Sequence, residues 1–256
     1  MTGYIFITSL REFLRPTRVA AWLAMVVGVF LIGLAWRFLA TDLSSDQSFA
    51  HLFLGIVLRV TALASAVVSA LVVSQEVESK TITYWILRPV PRWQVMLGRL
   101  FAAGVASLAI VLMANLACLV AVFGPVDAIK QFMVADLSLL ALAVGSYTGL
   151  FVLCSLFFSK ALIVSLVFAF GWETFVPNMA GDAFYLSILS YLRGATSRTL
   201  ASNDAGFLEI LTGALTPRSV EPGVSWLVLA LLTAVTWAAC LYFFSRREFM
   251  PKEEGD

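Results

Sequence analysis

Three polar side chains stand where lipid would make them costly. Arg59, Asn115 and Glu173 each interrupt a long apolar run, and an ionisable or amide group inside a membrane span is a functional candidate by default. Arg59 lies 15 residues before Ser74, Glu173 lies 13 residues after Lys160, and Asn115 lies 16 residues after Arg99. At about 1.5 Å per helical residue, all three reach ~20 Å from the same edge of a bundle. Two readings follow. One is a structural clamp in which Arg59 and Glu173 pair; the other is the lining of a substrate path or gate.

Catalysis finds little to work with. The single histidine, His51, stands at the border of an apolar run, where packing suits it better than general-base work. No Gly-x-Ser-x-Gly elbow, His-Glu-x-x-His helix, dense carboxylate cluster or Gly-Lys phosphate loop occurs. No catalytic, cofactor-binding or metal-ligating residue is therefore assigned, and the chain has no P-loop with which to hydrolyse ATP. Cys118, Cys154 and Cys240 are an odd set inside apolar runs and read as small core residues rather than a disulfide framework or zinc site.

The segment Gln75 to Arg99, QEVESKTITYWILRPVPRWQVMLGR, carries a different kind of chemistry. It opens with Glu76 and Glu78, continues through Lys80, and then places Ile82, Trp85 and Ile86 on one face of a short helix. Thr81 and Thr83 help to start that helix. Pro89 cannot continue it and biases Arg88 out of the helical region, after which Pro91, Arg92 and Trp93 lead into the next span. Two tryptophans on a compact knob predict a docking surface; the plainer alternative is that they sit in an interfacial aromatic belt.

The elements that position these residues must be membrane helices. Of 256 residues, 61% are apolar and 13% charged, with mean hydropathy +0.93. Soluble domains run at roughly 45–50% apolar and about 25% charged, so a water-soluble enzyme, a disordered tail and a nucleic-acid binder are excluded. The apolar runs predict an all-α membrane protein of six transmembrane helices, at 19–36, 52–73, 100–123, 137–158, 161–176 and 224–244. The run at 19–36 reads as a retained helix rather than a cleaved signal.

Charge sets the expected orientation. With the amino terminus inside, the cytosolic segments hold Arg11, Arg15, Arg18, Lys80, Arg88, Arg92, Arg99, Lys160, Arg246, Arg247 and Lys252. The outer segments hold Arg37, Lys130, Arg193, Arg198 and Arg218. This asymmetry predicts cytoplasmic termini. Ahead of the first span, Phe6, Leu10, Phe13 and Leu14 form a helical stripe opposite Thr8, Arg11, Glu12 and Arg15, predicting an amphipathic helix along the inner leaflet that turns at Pro16. The outer loop Asn178 to Gly223 carries two apolar stripes, Phe184, Tyr185, Ile188, Leu189 and Leu192, then Phe207, Leu208, Ile210 and Leu211. They predict short helices that cap the bundle or dip into it. Small residues at Ala62, Ala66, Ala70 and Ser74, at Gly98, Ala102 and Ala106, and at Gly145 and Gly149 suit close helix packing within the chain more than a dimer seam.

With these elements in place, the chain resembles the permease subunit of a type-2 ATP-binding-cassette (ABC) exporter. In that family an acidic residue ending the second span precedes a Gly-Thr-like pair, a short apolar helix, Leu-x-x-Pro, a basic residue, and Gly-Lys or Gly-Arg opening the third span. The matching residues are Glu76 or Glu78, Thr81, Leu87, Pro89, Arg92, Gly98 and Arg99; Lys80 stands where glycine is usual. The likeness extends over the leader, the six spans and the outer loop.

The resemblance implies a single permease domain over 1–256 without a nucleotide-binding domain, paired as a homodimer or heterodimer in the plasma membrane among lipid. A separate ABC ATPase, holding ATP and Mg, would grip the coupling helix within 75–99. Glu76, Glu78, Lys80, Arg88 and Arg92 would supply charged contacts, and Trp85, Ile86 and Leu87 apolar anchors. Two other classes stay open: a membrane-embedded enzyme acting on lipid or peptide through Arg59, Glu173 or His51, and a non-transporting membrane scaffold. No nucleic acid is expected as a partner.

Overall fold

The computed structural model describes residues 2–13, 15–39, 44–78, 91–125, 127–128, 134–158, 160–178, 182–196 and 220–246. Among them the chain is helical, with no strand. The helices are α1 (Thr2–Phe13), α2 (Pro16–Leu39), α3 (Ser45–Leu52), α4 (Leu58–Glu78), α5 (Arg92–Phe123), α6 (Val134–Phe157), α7 (Ala161–Val167), α8 (Glu173–Phe175), α9 (Ile188–Ala195) and α10 (Pro222–Arg246).

Five helical columns are long and apolar enough to cross a membrane: Pro16–Leu39, Ser45–Val72, Trp93–Phe123, Asp136–Phe157 and Pro222–Arg246. The segment expected as the fifth of six spans is a shorter apolar column, Ala161–Phe175, about 22 Å long at helical rise. Its regular geometry is interrupted by a π turn at Phe168–Trp172, between α7 and α8. A second π turn, Phe53–Val57, joins α3 to α4. A π turn accommodates a surplus residue by widening the helix, which is why neither is visible as a break in apolar periodicity.

The column α3–α4 forms the centre. From Phe53 to Val72 it is apolar or small on all sides apart from Arg59, and Phe53, Val57, Leu58, Ala64 and Ala66 are wholly buried, as a helix surrounded by protein requires. Its start is set by a capping box in which Ser44 Oγ accepts from the Gln47 amide and Gln47 Oε1 accepts from the Ser44 amide. Around it pack α5, α6 and α7; α2 leans on α5, and α10 on α6. At the far end α5 stops at Gly124, whose φ of 84° is a positive value that glycine, lacking a Cβ, adopts with little strain.

Two expectations change in detail. The stripe of α1 faces protein: Phe13 is buried, Phe6 and Leu10 pack against the core, and α1 lies against α5. A helix that satisfies its apolar stripe on a neighbouring helix does not need lipid to cover it. Pro16 begins α2, where its missing amide hydrogen costs nothing, and Arg18 Nη1 donates to the Glu12 carbonyl at 3.0 Å to brace the corner. The first stripe of the loop after Asn178 is split between a 3₁₀ turn, Asp182–Leu186, and α9, separated by an extended Ser187. Phe184, Ile188, Leu189 and Leu192 are buried as expected, while Tyr185 is exposed. The second stripe, at 207–211, lies outside the described residues.

Candidate functional site

Glu173 organises the most polar part of the interior. The column carrying it delivers the side chain into the bundle, where the residue is 3% exposed. Its carboxylate accepts three hydrogen bonds: from Ser187 Oγ at 2.7 Å, the Ile188 amide at 3.1 Å and the Leu189 amide at 2.9 Å. Ile188 and Leu189 open α9, and Ser187 makes no side-chain cap of its own. The first amides of a helix lack internal partners and carry partial positive charge, so a carboxylate from another column completes the helix and is itself stabilised. Beside it, Trp172 Nε1 donates to the Leu186 carbonyl at 3.3 Å.

The Glu173 carboxylate takes hydrogen bonds from residues 187–189, so it has donors besides any charge on Arg59. Arg59 enters the neighbourhood through Arg193 on α9. Burial pushes the Arg193 guanidinium below its ordinary value, the Arg59 charge adds to that, and Tyr147 and Glu173 act against it. The wholly buried Tyr147 hydroxyl faces the same carboxylate without a hydrogen bond of good geometry. Its ring stacks on Phe151 at 5.8 Å, and Phe151 meets Phe168 of the π turn edge-on at 5.9 Å.

Asn115 is wholly buried, with neither amide atom partnered among the described residues. Ser65, Ser69, Ser107, Thr148 and Ser165 also bury hydroxyls without a partner. Arg99 Nη1 donates to the Val72 carbonyl at 2.7 Å and so sets the register of α5 against the antiparallel α4. Counting about eight residues up each helix from that joint brings Ser107 level with Ser65, and about sixteen bring Asn115 level with the Phe53–Val57 π turn. Orphaned polar groups in a low-dielectric interior cost free energy, so this interior differs chemically from a dry core.

The other predicted residues are distributed differently. Glu76 and Glu78 fall on the last turn of α4 and Arg92 on the first residue of α5, with only their backbones described. Lys80, Thr81, Trp85, Ile86, Leu87, Arg88 and Pro89 lie outside the described residues. Trp93, just beyond, is 49% exposed. His51 sits against Trp36, with ring centroids 6.4 Å apart. Among the described residues, no group of three or more His, Cys, Asp or Glu side chains could hold a metal ion.

Ser187, Tyr147 and the α9 amides were not legible as site members. A serine immediately before an amphipathic run was the available signal for the first, since that is where helices begin; a tyrosine within an apolar span offered little for the second. No protein-family model matches the chain, and no curated protein matches it either.

Proposed function

We propose that the chain is the permease subunit of an ABC exporter, working as a dimer in the plasma membrane with both termini in the cytosol and driven by a separate ATPase. The observation that carries this reading is the 75–99 segment: its acid, threonine, apolar, Leu-x-x-Pro, basic and Gly-Arg order spans the interval between α4 and α5. Support comes from where those helices go. One is the buried centre of the bundle, and the other is joined to it by Arg99 and Val72. A force applied to the knob is therefore applied to the core.

In this reading Ala161–Phe175 completes six spans, and α9 lies at the outer end. ATP-driven closure of the ATPase pair pushes the two knobs together. Different contacts in the open and closed pairs then shift the permeases between inward-open and outward-open or occluded forms. Glu76, Glu78, Lys80, Arg88 and Arg92 supply charged contacts, and Trp85, Ile86 and Leu87 the apolar anchors.

Affinity purification from mild detergent, with identification of the copurifying chains, tests this directly. A P-loop ATPase is expected in the preparation, and Trp85→Ala or Arg88→Glu is expected to remove it while leaving membrane insertion intact. Normal copurification and full ATP-dependent activity in both variants would overturn the assignment.

A further inference from the structure

The contact between α6 and α10 changes character halfway along. Toward Arg246 small residues let the two helices touch: a Cβ on Gly145 would lie 3.0 Å from Thr233 Cγ2, and one on Gly149 would lie 2.8 Å from Trp237 Cδ1. Toward Pro222 the same pair leaves a groove of about 720 Å³, to which α6 contributes Ser138, Ala141 and Leu142, and α10 contributes Trp226, Leu227, Ala230 and Thr233. The groove opens on the outside of the bundle, where Ser138, Ala141, Leu227 and Ala230 are exposed. Alanine at 141 and 230 leaves space that a longer side chain on either helix would take.

Length identifies the occupant. The helix α10 begins at Pro222 and runs for 25 residues, so Trp226 stands about 6 Å and Thr233 about 16 Å along it at helical rise. The hydrocarbon core of a bilayer is about 30 Å thick, of which one leaflet supplies ~15 Å. The groove therefore runs through a single leaflet, from headgroup depth at Trp226 to the midplane, where the approach of Gly145 to Thr233 closes it. Tryptophan suits the upper end, since its ring is apolar and its N–H polar. A second transmembrane helix is about 10–12 Å wide and would follow the pair through the whole membrane rather than stop at its centre. An acyl chain starts at the headgroups and ends at the midplane, and the volume lies within the roughly 300–1,000 Å³ of sites that hold one small hydrophobic ligand.

We propose that this groove binds one acyl chain of a bilayer phospholipid from the leaflet at the Pro222 end, and holds it longer than the convex surface beside it holds lipid. A chain in the groove touches two helices at once, and the additional dispersion contacts favour it over a neighbour that touches one. Lipid thus completes the junction of α6 and α10 where the protein's own side chains are short. The site goes beyond the permease reading and requires of the chain only that it spans a membrane.

The test uses the full chain in phosphatidylcholine vesicles doped with phosphatidylcholine that carries a photoreactive diazirine on one acyl chain, either near the carbonyl or at the methyl end. After irradiation, adducts are mapped by mass spectrometry of peptides. Groove residues are expected to be labelled several-fold more than Leu231 and Val235, which are exposed on α10 outside the groove. The carbonyl-end probe should mark Ser138 and Trp226, and the methyl-end probe Leu142 and Thr233. Ala230→Trp fills the groove and is expected to lower its labelling to the level of Leu231, while Val235→Trp leaves it unchanged. Should Ala230→Trp fail to accumulate, Ala141→Phe is expected to give the same loss.

Equal labelling of groove and convex surface, the same positions marked by both probes, or adducts undiminished in the filled variants would overturn the site. So would a groove that neither probe reaches, which would place protein over it. Ala230→Cys, in a background with Cys118, Cys154 and Cys240 changed to alanine, adds one further check: efficient disulfide formation between two copies would assign the groove to a second chain instead of a lipid. None of these readouts depends on a copurifying ATPase, so failure of the lipid site and failure of the permease reading are separate results.

Discussion

The seam between α6 and α10 and the joint between Glu173 and α9 bring polar atoms into the same bundle in contrasting ways. At the seam, Trp237 Nε1 donates to the Gly145 carbonyl at 3.0 Å, Cys240 Sγ to the Gly149 carbonyl at 3.4 Å, and Ser146 Oγ meets Thr233 Oγ1 at 2.8 Å. Glycines admit this approach: a Cβ on Gly149 would collide with Thr236 Oγ1 and lie 2.8 Å from Trp237 Cδ1. The polar groups of the seam are matched across a close contact along successive turns. At the joint, one carboxylate serves a helix end while the buried Ser190 hydroxyl has no hydrogen-bond partner among the described residues. A matched seam behaves as frame, whereas unmatched buried polarity costs free energy and leaves the interior around it less firmly specified.

The contrast is broken most severely at Gly149. Gly149→Val has no room for its side chain without separating α6 from α10, and overpacking of this kind costs roughly 1–3 kcal/mol even where neighbours yield. We expect a value at the upper end, read as a large fall in Tm or failure to accumulate in detergent. Gly28→Ala is the control, because a Cβ there meets nothing within 4 Å. A melting curve for Gly149→Val matching wild type would show that the seam is not close-packed.

Glu173→Ala comes next. It strands the Ser187 hydroxyl and two buried amides, at ~1–3 kcal/mol for each group left without a partner or water. Water entering as α9 loosens offsets part of this, so a net destabilisation of about 2–3 kcal/mol is expected. Hydrogen exchange should localise it: protection of the Ile188 and Leu189 amides falls while the α6–α10 seam is unaffected. A uniform loss of protection along both regions would remove the distinction between frame and joint.

The frame was easier to foresee than the joint, for physical reasons. Long apolar columns such as Pro222–Arg246 announce themselves because the bilayer imposes a length and a composition. Gly145 and Gly149 were recognisable as small residues one helical turn apart, yet only the positions of Thr233 against the first and of Thr236 and Trp237 against the second show that their partner is within the chain. Similarly, the stripe on α1 was evident from spacing, while its packing against α5 depended on a contact between distant segments. Glu173 was legible as a charge at depth, but not its partner. Sequence directs attention to an opposite charge such as Arg59, whereas the actual donors include backbone amides that exist as a site only once Ser187 is extended and α9 begins. The π turns preserve apolar character and leave no compositional mark.

Within the frame, Trp237→Phe probes a single matched group. It deletes the donor to the Gly145 carbonyl but keeps the ring near Phe101, which now meets Trp237 edge-on at 5.0 Å. The net value of one such bond is about 1 kcal/mol, and the carbonyl belongs to a regular helix that already uses it. A reduction in stability of ~0.5–1 kcal/mol is expected. A loss comparable with that of Gly149→Val would mean that the seam relies on this bond rather than on shape.

Asn115→Leu sharpens the comparison through its sign. Both amide atoms are buried without a partner among the described residues, so leucine removes polar groups that folding desolvates and exchanges them for apolar surface of similar size. Replacing unmatched buried polarity with a well-packed hydrophobe is often neutral or stabilising, and a gain of at most about 1 kcal/mol is expected. Glu173→Ala, in the same interior, is expected to move stability the other way. The difference separates a buried polar group that the fold engages from one that it leaves unused. If Asn115→Leu is instead as destabilising as Glu173→Ala, Asn115 has a partner in the resting protein, and the interior around it belongs with the frame.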